Sequence, residues 1–203
     1  MPQVMTTKVL VYDFAELSDA AKRRAIENYI NDYDFDLDLD WALDFLATEK
    51  YPHIHDLNIK FSGFWSQGDG ASFTGELDSS WAVDAFLTTE EKTLIREIDC
   101  HFYRLERLTG RYLHRHTCTS AASIVRFADH IEENEALRVS IDHDLEQEIT
   151  ERLEQYRLEV CDEIYEFLRK TYEAQTSDEA AIERFHCDGT LFRESGEVFD
   201  HYH

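Results

Sequence analysis

Histidine recurs as His-x-His at 53/55, 114/116 and 201/203. On a strand, residues two apart face one side, so His114 and His116 could jointly ligate zinc or another transition metal, although the spacing offers no third ligand and no metal is assigned. Around the second pair lies a positive island. Residues 92–126 carry seven basic and three acidic side chains in a chain of net charge −23, and Arg111 and Arg115 beside His114 and His116 would suit a phosphate or carboxylate, if they are not spent on internal ion pairs. A third candidate is the run from Gly63 to Ser72. There Trp65, Ser66, Gln67, Asp69 and Ser72 would present an indole, an amide, a carboxylate and two hydroxyls at one loop tip, where recognition is commonly built.

Enzyme chemistry is not pointed to. The chain has no G-x-S-x-G, Walker loop, H-E-x-x-H or dinucleotide fingerprint, and Gly68-Asp69-Gly70 is too short to cradle a phosphate and lacks a following Lys-Ser/Thr. Asp32, Asp34, Asp36, Asp38 and Asp40 alternate as a calcium loop begins. Such a loop then needs a glycine and a glutamate where this sequence has Leu37 and Leu43, or Leu39 and Phe45 in the other register. Cys100, Cys118, Cys161 and Cys187 show no C-x-x-C and read as reduced thiols. Paired carboxylates carry no information where 31% of residues are charged. No catalytic residue and no cofactor is assigned.

The element that must position the loop is a ribbon. Ile59, Phe61 and Trp65 alternate with polar residues on the way in, Phe73 and Thr74 lead out, and the stretch 59–75 uses four of the seven glycines. Gly-Asp-Gly is expected to supply the positive-φ positions of the reversal. Around it, Ser18 caps a helix marked by Ile26, Tyr29, Ile30 and Tyr33, and the aspartate run leads as a loop into a helix reaching about Lys50. Residues 8–12 read as an edge strand. A capping box at Thr88 and Glu91 predicts a third helix with Leu94, Ile95, Ile98, Phe102 and Leu105 on its buried face, ended by Gly110. Residues 112–118 and 123–127 read as two strands joined by 119–122, and 137–141 as another. The longest helix spans about 144–174, its stripe running from Leu145 through Ile149, Leu153, Val160 and Ile164 to Tyr172. That stripe is nearly heptad-like, so it either lies across a sheet or in part pairs with a second copy as a homodimer. Thr176 and Glu179 cap a last helix, and 191–199 form a hairpin turning at Ser195-Gly196. These elements predict one α+β domain over 1–203, a small antiparallel sheet built around a 57–76 hairpin and packed against several helices.

The run 61–75, FSGFWSQGDGASFTG, resembles the signature of a largely uncharacterised family of small acidic proteins from bacteriophages and mobile elements, sometimes labelled antitoxin-like. Residues 12–22 and 172–179, with Leu191, Phe192 and Gly196, are similar to its flanking patterns. The resemblance implies a host-directed inhibitor and brings no catalytic residues.

Composition points the same way. With 20 Lys and Arg against 43 Asp and Glu, the chain repels nucleic acid and anionic membranes and favours a basic, nucleic-acid-binding protein partner. The start of the chain has no basic, apolar leader and no apolar run nears ~18 residues, so a cytoplasmic protein is expected. Glu146, Glu151 and Glu154 on the long helix are the expected contact carboxylates, their spacing imitating DNA phosphates. The alternative is a nucleotide or other small-anion-binding protein, extending to a weak enzyme, that uses the Trp65–Asp69 loop, with Trp65 stacking on the ligand, beside the Arg111–His116 strand. A hollow joining those two segments would favour it.

Overall fold

The structure is a computed structural model that describes residues 8–105, 113–126 and 143–199. Along the chain these form β1 (Tyr12–Asp13), α1 (Asp19–Asp32), α2 (Asp36–Phe45), β2 (Ile54–Phe61), β3 (Ala71–Leu77), α3 (Ser79–Phe86), β4 (Ile95–Arg104), β5 (Cys118–Arg126), α4 (His143–Gln175), α5 (Asp178–Asp188) and β6 (Leu191–Phe192). The result is one α+β domain whose contacts gather into two compact units. One takes the chain up to Asp38 and from Lys170 onward, the other Leu39–Arg169.

In the larger unit, β2-β3-β4-β5 form an antiparallel meander. Ile54 faces Leu77 and Phe61 faces Ala71 across the first ribbon, and Cys100 pairs with both Leu77 and Ala122. The predicted third helix is instead β4. The Thr88/Glu91 capping box exists, Thr88 N–H donating to Glu91 at 2.7 Å and Glu91 N–H to Thr88 Oγ at 3.3 Å, but it heads only the single turn Glu91–Thr93. Beyond it Ile98, Cys100 and Phe102 are buried while Glu97, Asp99 and His101 are exposed, which is a strand's period of two. A register shift between Ile95 and Glu97 puts Leu94, Ile95 and Ile98 at helix-like spacing, and that bulge is what mimics the helix. The expected pair of strands after it is also corrected. Residues 119–122 are the middle of β5, and the stretch expected as a strand ahead of Cys118 holds the turn Arg115–Thr117. Gly110, Arg107, Arg111, His201, His203 and the strand expected over 137–141 lie outside the described residues.

The core of this unit is Phe73, Leu77, Ile98, Cys100 and Phe102 from the sheet with Ile149, Leu153, Val160, Ile164 and Leu168 from α4. Phe73 and Phe102 have ring centroids 4.8 Å apart. The stripe on α4 is therefore a core face, at every third or fourth residue. α2 adds Ala42, and the turn Leu46–Lys50 adds the fully buried Leu46.

The smaller unit closes on Phe14, Leu17, Ala21, Ala25, Ala181, Phe185 and Phe192. Ser18 accepts from the Ala21 N–H, as its position before α1 requires, and Ser177 accepts from Ala180. The cap of α5 is thus Ser177, one residue past the expected Thr176. β1 pairs antiparallel with β6, and the hairpin at the tail forms as expected, with Phe199 N–H donating to the Leu191 carbonyl at 2.8 Å. Its turn needs Gly196: φ is +88°, and a Cβ there would lie 2.2 Å from the Ala21 carbonyl oxygen. Among the described residues no helix is long and apolar enough to cross a membrane.

Candidate functional site

The β2–β3 connection is wider than a tight Gly-Asp-Gly reversal. Asp69 organises it, one carboxylate oxygen accepting from the N–H groups of Trp65 at 2.8 Å and Ser66 at 2.5 Å, while Asp69 N–H donates to the Ser66 carbonyl at 3.0 Å. Gly63 and Gly68 take positive φ, +108° and +96°, but Gly70 does not. Gly70 is required for a different reason: a Cβ would meet Cβ of His114 at 2.6 Å and its Cα at 2.9 Å. The loop is pressed on the 113–114 backbone, and Ser62 Oγ donates to the Leu113 carbonyl at 3.1 Å. Trp65, Ser66 and Gln67 are exposed at the tip, Trp65 by 71%. Ser72 is not at the tip: it is buried in β3, 3% exposed.

That close approach makes a hollow of about 330 Å³, lined by Asp69, Gly70, His114, Arg115, Asp162 and Tyr165 among others. Arg115 Nη1 lies 2.7 Å from Asp162 Oδ2. His114 Nδ1 accepts the His116 N–H at 3.2 Å, and burial first, then His116 and Arg115, push the His114 pKa below its ordinary value. The chain carries His114 and His116 into a turn, with rings 5.4 Å apart and nearly perpendicular, instead of side by side on a strand. Among the described residues no group of three or more His, Cys, Asp or Glu side chains could hold a metal ion.

Behind the hollow a charge is buried. Arg157, 2% exposed, donates from Nε to Glu154 at 2.9 Å and from Nη1 to Cys118 Sγ at 3.2 Å and to the Arg115 carbonyl. Glu154 also accepts from Ser120 Oγ at 3.0 Å, and the Arg157 guanidinium holds its carboxyl below the usual range. Cys118 and Cys161 are buried with sulfurs 3.7 Å apart. The Cys161 S–H facing it draws the Cys118 thiol downward, helped by the Phe73 N–H and Arg157. Glu154, expected as a contact carboxylate, is thus engaged by Arg157 and Ser120 while its side chain stays 39% exposed.

On the outside of α4 the exposed positions Glu148, Glu151, Gln155, Glu159, Asp162 and Glu166 recur at intervals of three and four, placing five carboxylates in one row about 27 Å long at 1.5 Å per residue. Arg152 pairs with Glu148 at 3.2 Å and Arg169 with Glu166 at 2.8 Å. Beside Glu166, the Phe167 ring stacks on Phe45 at 5.3 Å and 13°, and Phe45 on Trp41 at 5.8 Å and 22°. Trp41 is nevertheless 62% exposed. Asp40 precedes it, Asp44 lies one turn on, and Glu163 lies one turn before Phe167; all three are exposed.

Residues 24–178 match the family model described as Domain of unknown function (DUF8835). The chain belongs to the DUF8835 family. No curated protein and no solved structure matches it.

The DUF8835 match runs from within α1 to the start of α5 and takes in the whole four-stranded sheet, the hollow and the carboxylate row. Within the DUF8835 fold the expected residues separate into distinct places. Trp65, Ser66 and Gln67 stand at the ribbon tip, and Asp69 and Arg115 meet at the hollow. Glu151 is in the exposed row, where its carboxylate accepts the Gln147 amide at 2.9 Å; Glu146 is half-buried in the first turn of α4. Sequence reasoning missed Glu148, Glu159, Asp162 and Glu166, although they are the complement of the apolar stripe on α4. It also missed Trp41, which sits among aspartates and stacks on Phe45 one turn on, the Phe167 ring behind Phe45 lying far along the chain.

Proposed function

We propose that this DUF8835 chain is a protein-binding module that captures a basic, nucleic-acid-binding protein and inhibits it, in keeping with the resemblance of its central motif to antitoxin-like proteins of bacteriophages and mobile elements. The observation that carries the reading is Trp41, an exposed indole stacked on Phe45 and set beside Asp40, Asp44 and the carboxylates of α4. Ring faces attract cations, and tryptophan is among the residues enriched at the hot spots of interfaces. The row on α4 supplies what an anchor lacks, a long-range field that steers a positive partner.

Charge density argues against literal imitation of duplex DNA. Five carboxylates over about 27 Å is one per about 5 Å, against one charge per about 1.7 Å of duplex, and Arg115, Arg152 and Arg169 offset part of it. A lysine- and arginine-rich protein face, whose charges are spaced like those of a helix, is the better fit.

A second reading, a nucleotide or other small-anion site, rests on the hollow joining residues 68–71 to 114–116. There Arg115 is already spent on Asp162 and Asp69 lines the same space, so an anion would enter against two carboxylates for one guanidinium.

The test is capture from host lysate on the immobilised chain, with Trp41→Ala and a Glu148→Lys/Glu159→Lys/Glu166→Lys variant alongside. The expected partner is basic, is retained at about 50 mM salt and released by about 300 mM, is lost with either variant, and gives up its nucleic acid on binding. Retention indifferent to salt, to Trp41 and to charge reversal would overturn the reading.

A further inference from the structure

The smaller unit contains its own groove, of about 720 Å³, between α1 and α5. This volume lies in the range of small-ligand sites, roughly 300–1,000 Å³. Its lining has two kinds of surface. Small and aromatic side chains, Ala25, Ala180, Tyr29, Tyr33 and Phe185, make the apolar part, and the exposed carboxylates of Asp32, Asp34 and Glu183 add negative charge. Tyr29 stands edge-on to Phe185 at 5.7 Å and packs on Tyr33 at 5.9 Å, so the aromatic rings form one continuous wall. Arg184 also lines the groove, but its Nε lies 2.7 Å from Asp188 Oδ2 one turn along α5, and that carboxylate offsets its charge.

We infer that this groove is a binding site for an organic cation, an alkylammonium or guanidinium group carried on an apolar stem. The stem packs on Tyr29 and Tyr33, and the cationic head is held by the ring faces together with Asp32 and Glu183. Aromatic faces and carboxylates attract the same charge, so the two surfaces act together on a cation. An anion meets the carboxylates of Asp32 and Glu183, and a neutral apolar ligand leaves them unused. The head could belong to a free polyamine or to a basic side chain of a protein; the chemistry recognised is the same. The groove lies in a different unit from Trp41 and does not depend on the reading built there.

The experiment is an NMR titration of the whole chain with spermidine, with a short arginine-rich peptide, and with a neutral diol of spermidine's length, following the side-chain amides of Asn28 and Gln175 and the backbone amide of Ala180. Saturable shifts confined to the groove are expected for both cations and not for the diol. Glu183→Gln, an exposed change, and Tyr33→Ala should each weaken binding roughly three- to tenfold, while Tyr33→Phe, which keeps the ring face, should bind like the natural chain. Peptide affinity well above spermidine's would assign the head to a protein, and parity to a free polyamine. Shifts that spread over the α4 carboxylates without saturating, a diol that binds equally, or affinities unchanged in Glu183→Gln and Tyr33→Ala would overturn the site. Because Trp41→Ala leaves this groove intact, loss of protein capture with spermidine binding retained separates the two readings.

Discussion

The Arg157 guanidinium, almost wholly buried, donates to the Cys118 sulfur at 3.2 Å and depends on one carboxylate, Glu154, whose side chain is 39% exposed. That asymmetry sets the order of two substitutions. Arg157→Met leaves Glu154 in reach of water and of Ser120 Oγ, so the cost is small, about 1 kcal/mol. Glu154→Gln takes the carboxylate away from a buried cation and is expected to cost about 3 kcal/mol. Urea denaturation of both variants checks the order; equal costs would show that the pair's value lies elsewhere than in the buried charge.

Gly70 gives a second prediction. Its backbone angle is one that other residues tolerate, but a Cβ would collide with His114. Gly70→Ala should therefore destabilise by about 1–3 kcal/mol and lift the ribbon from the 113–114 backbone. At Gly189, with φ +59° and nothing within 4 Å of a Cβ, Gly189→Asn should be nearly neutral, since asparagine tolerates the left-handed region at a helix end. Thermal unfolding of the two variants separates crowding from backbone strain.

What could be read from the sequence follows from how local each signal is. α1, α4 and the tail hairpin are legible because caps, apolar spacing and a Ser-Gly turn are written within a few residues of where they act. β4 was not, because a bulge at Ile95/Glu97 borrows a helix's spacing and a genuine capping box precedes it. The middle of β5 reads as a linker because Thr119, Ser120, Ala121 and Ala122 are small. In the fold Ser120 bonds Glu154 on α4 and Ala122 packs against the core, so small residues suit the close approach of the helix. Glu154 is bonded by Arg157 three residues on and Trp41 stacks on Phe45 four residues on, but the Arg115 and Cys118 groups that draw Arg157 inward and the Phe167 ring behind Phe45 lie more than thirty residues away, and no local pattern announces them.

A pH effect follows from His53, whose Nε2 lies 2.6 Å from the Tyr156 hydroxyl and whose ring stacks 3.8 Å from Trp81. Burial lowers its pKa, against an upward pull from Asp78. The unfolded chain therefore takes up this proton first. Stability is complete above the unfolded value of about 6.5 and declines as pH falls below it, until the folded ring also titrates. His114 acts in the same direction. The urea midpoint should fall from about pH 7 toward pH 5, and His53→Gln should flatten part of that slope. A separate acid limb, below about pH 4.5, is expected from Glu91, Glu154 and Glu163, held low by Arg152, Arg157 and Lys50.

The Arg115–Asp162 pair is 2.7 Å long with both side chains about half exposed, 45% and 56%, so breaking it should cost under about 1 kcal/mol and leave the fold intact. Asp162→Ala removes one of the two carboxylates around the hollow and frees the guanidinium beside His114. Titration with inorganic phosphate and with ATP is then expected to give no saturable binding to the natural chain at millimolar ligand and weak binding to the variant, an anion site uncovered by deleting its internal competitor. Tight ATP binding by the natural chain, lost rather than gained in Arg115→Ala, would reverse the ranking of the two functional readings and move the centre of function from Trp41 to the ribbon loop.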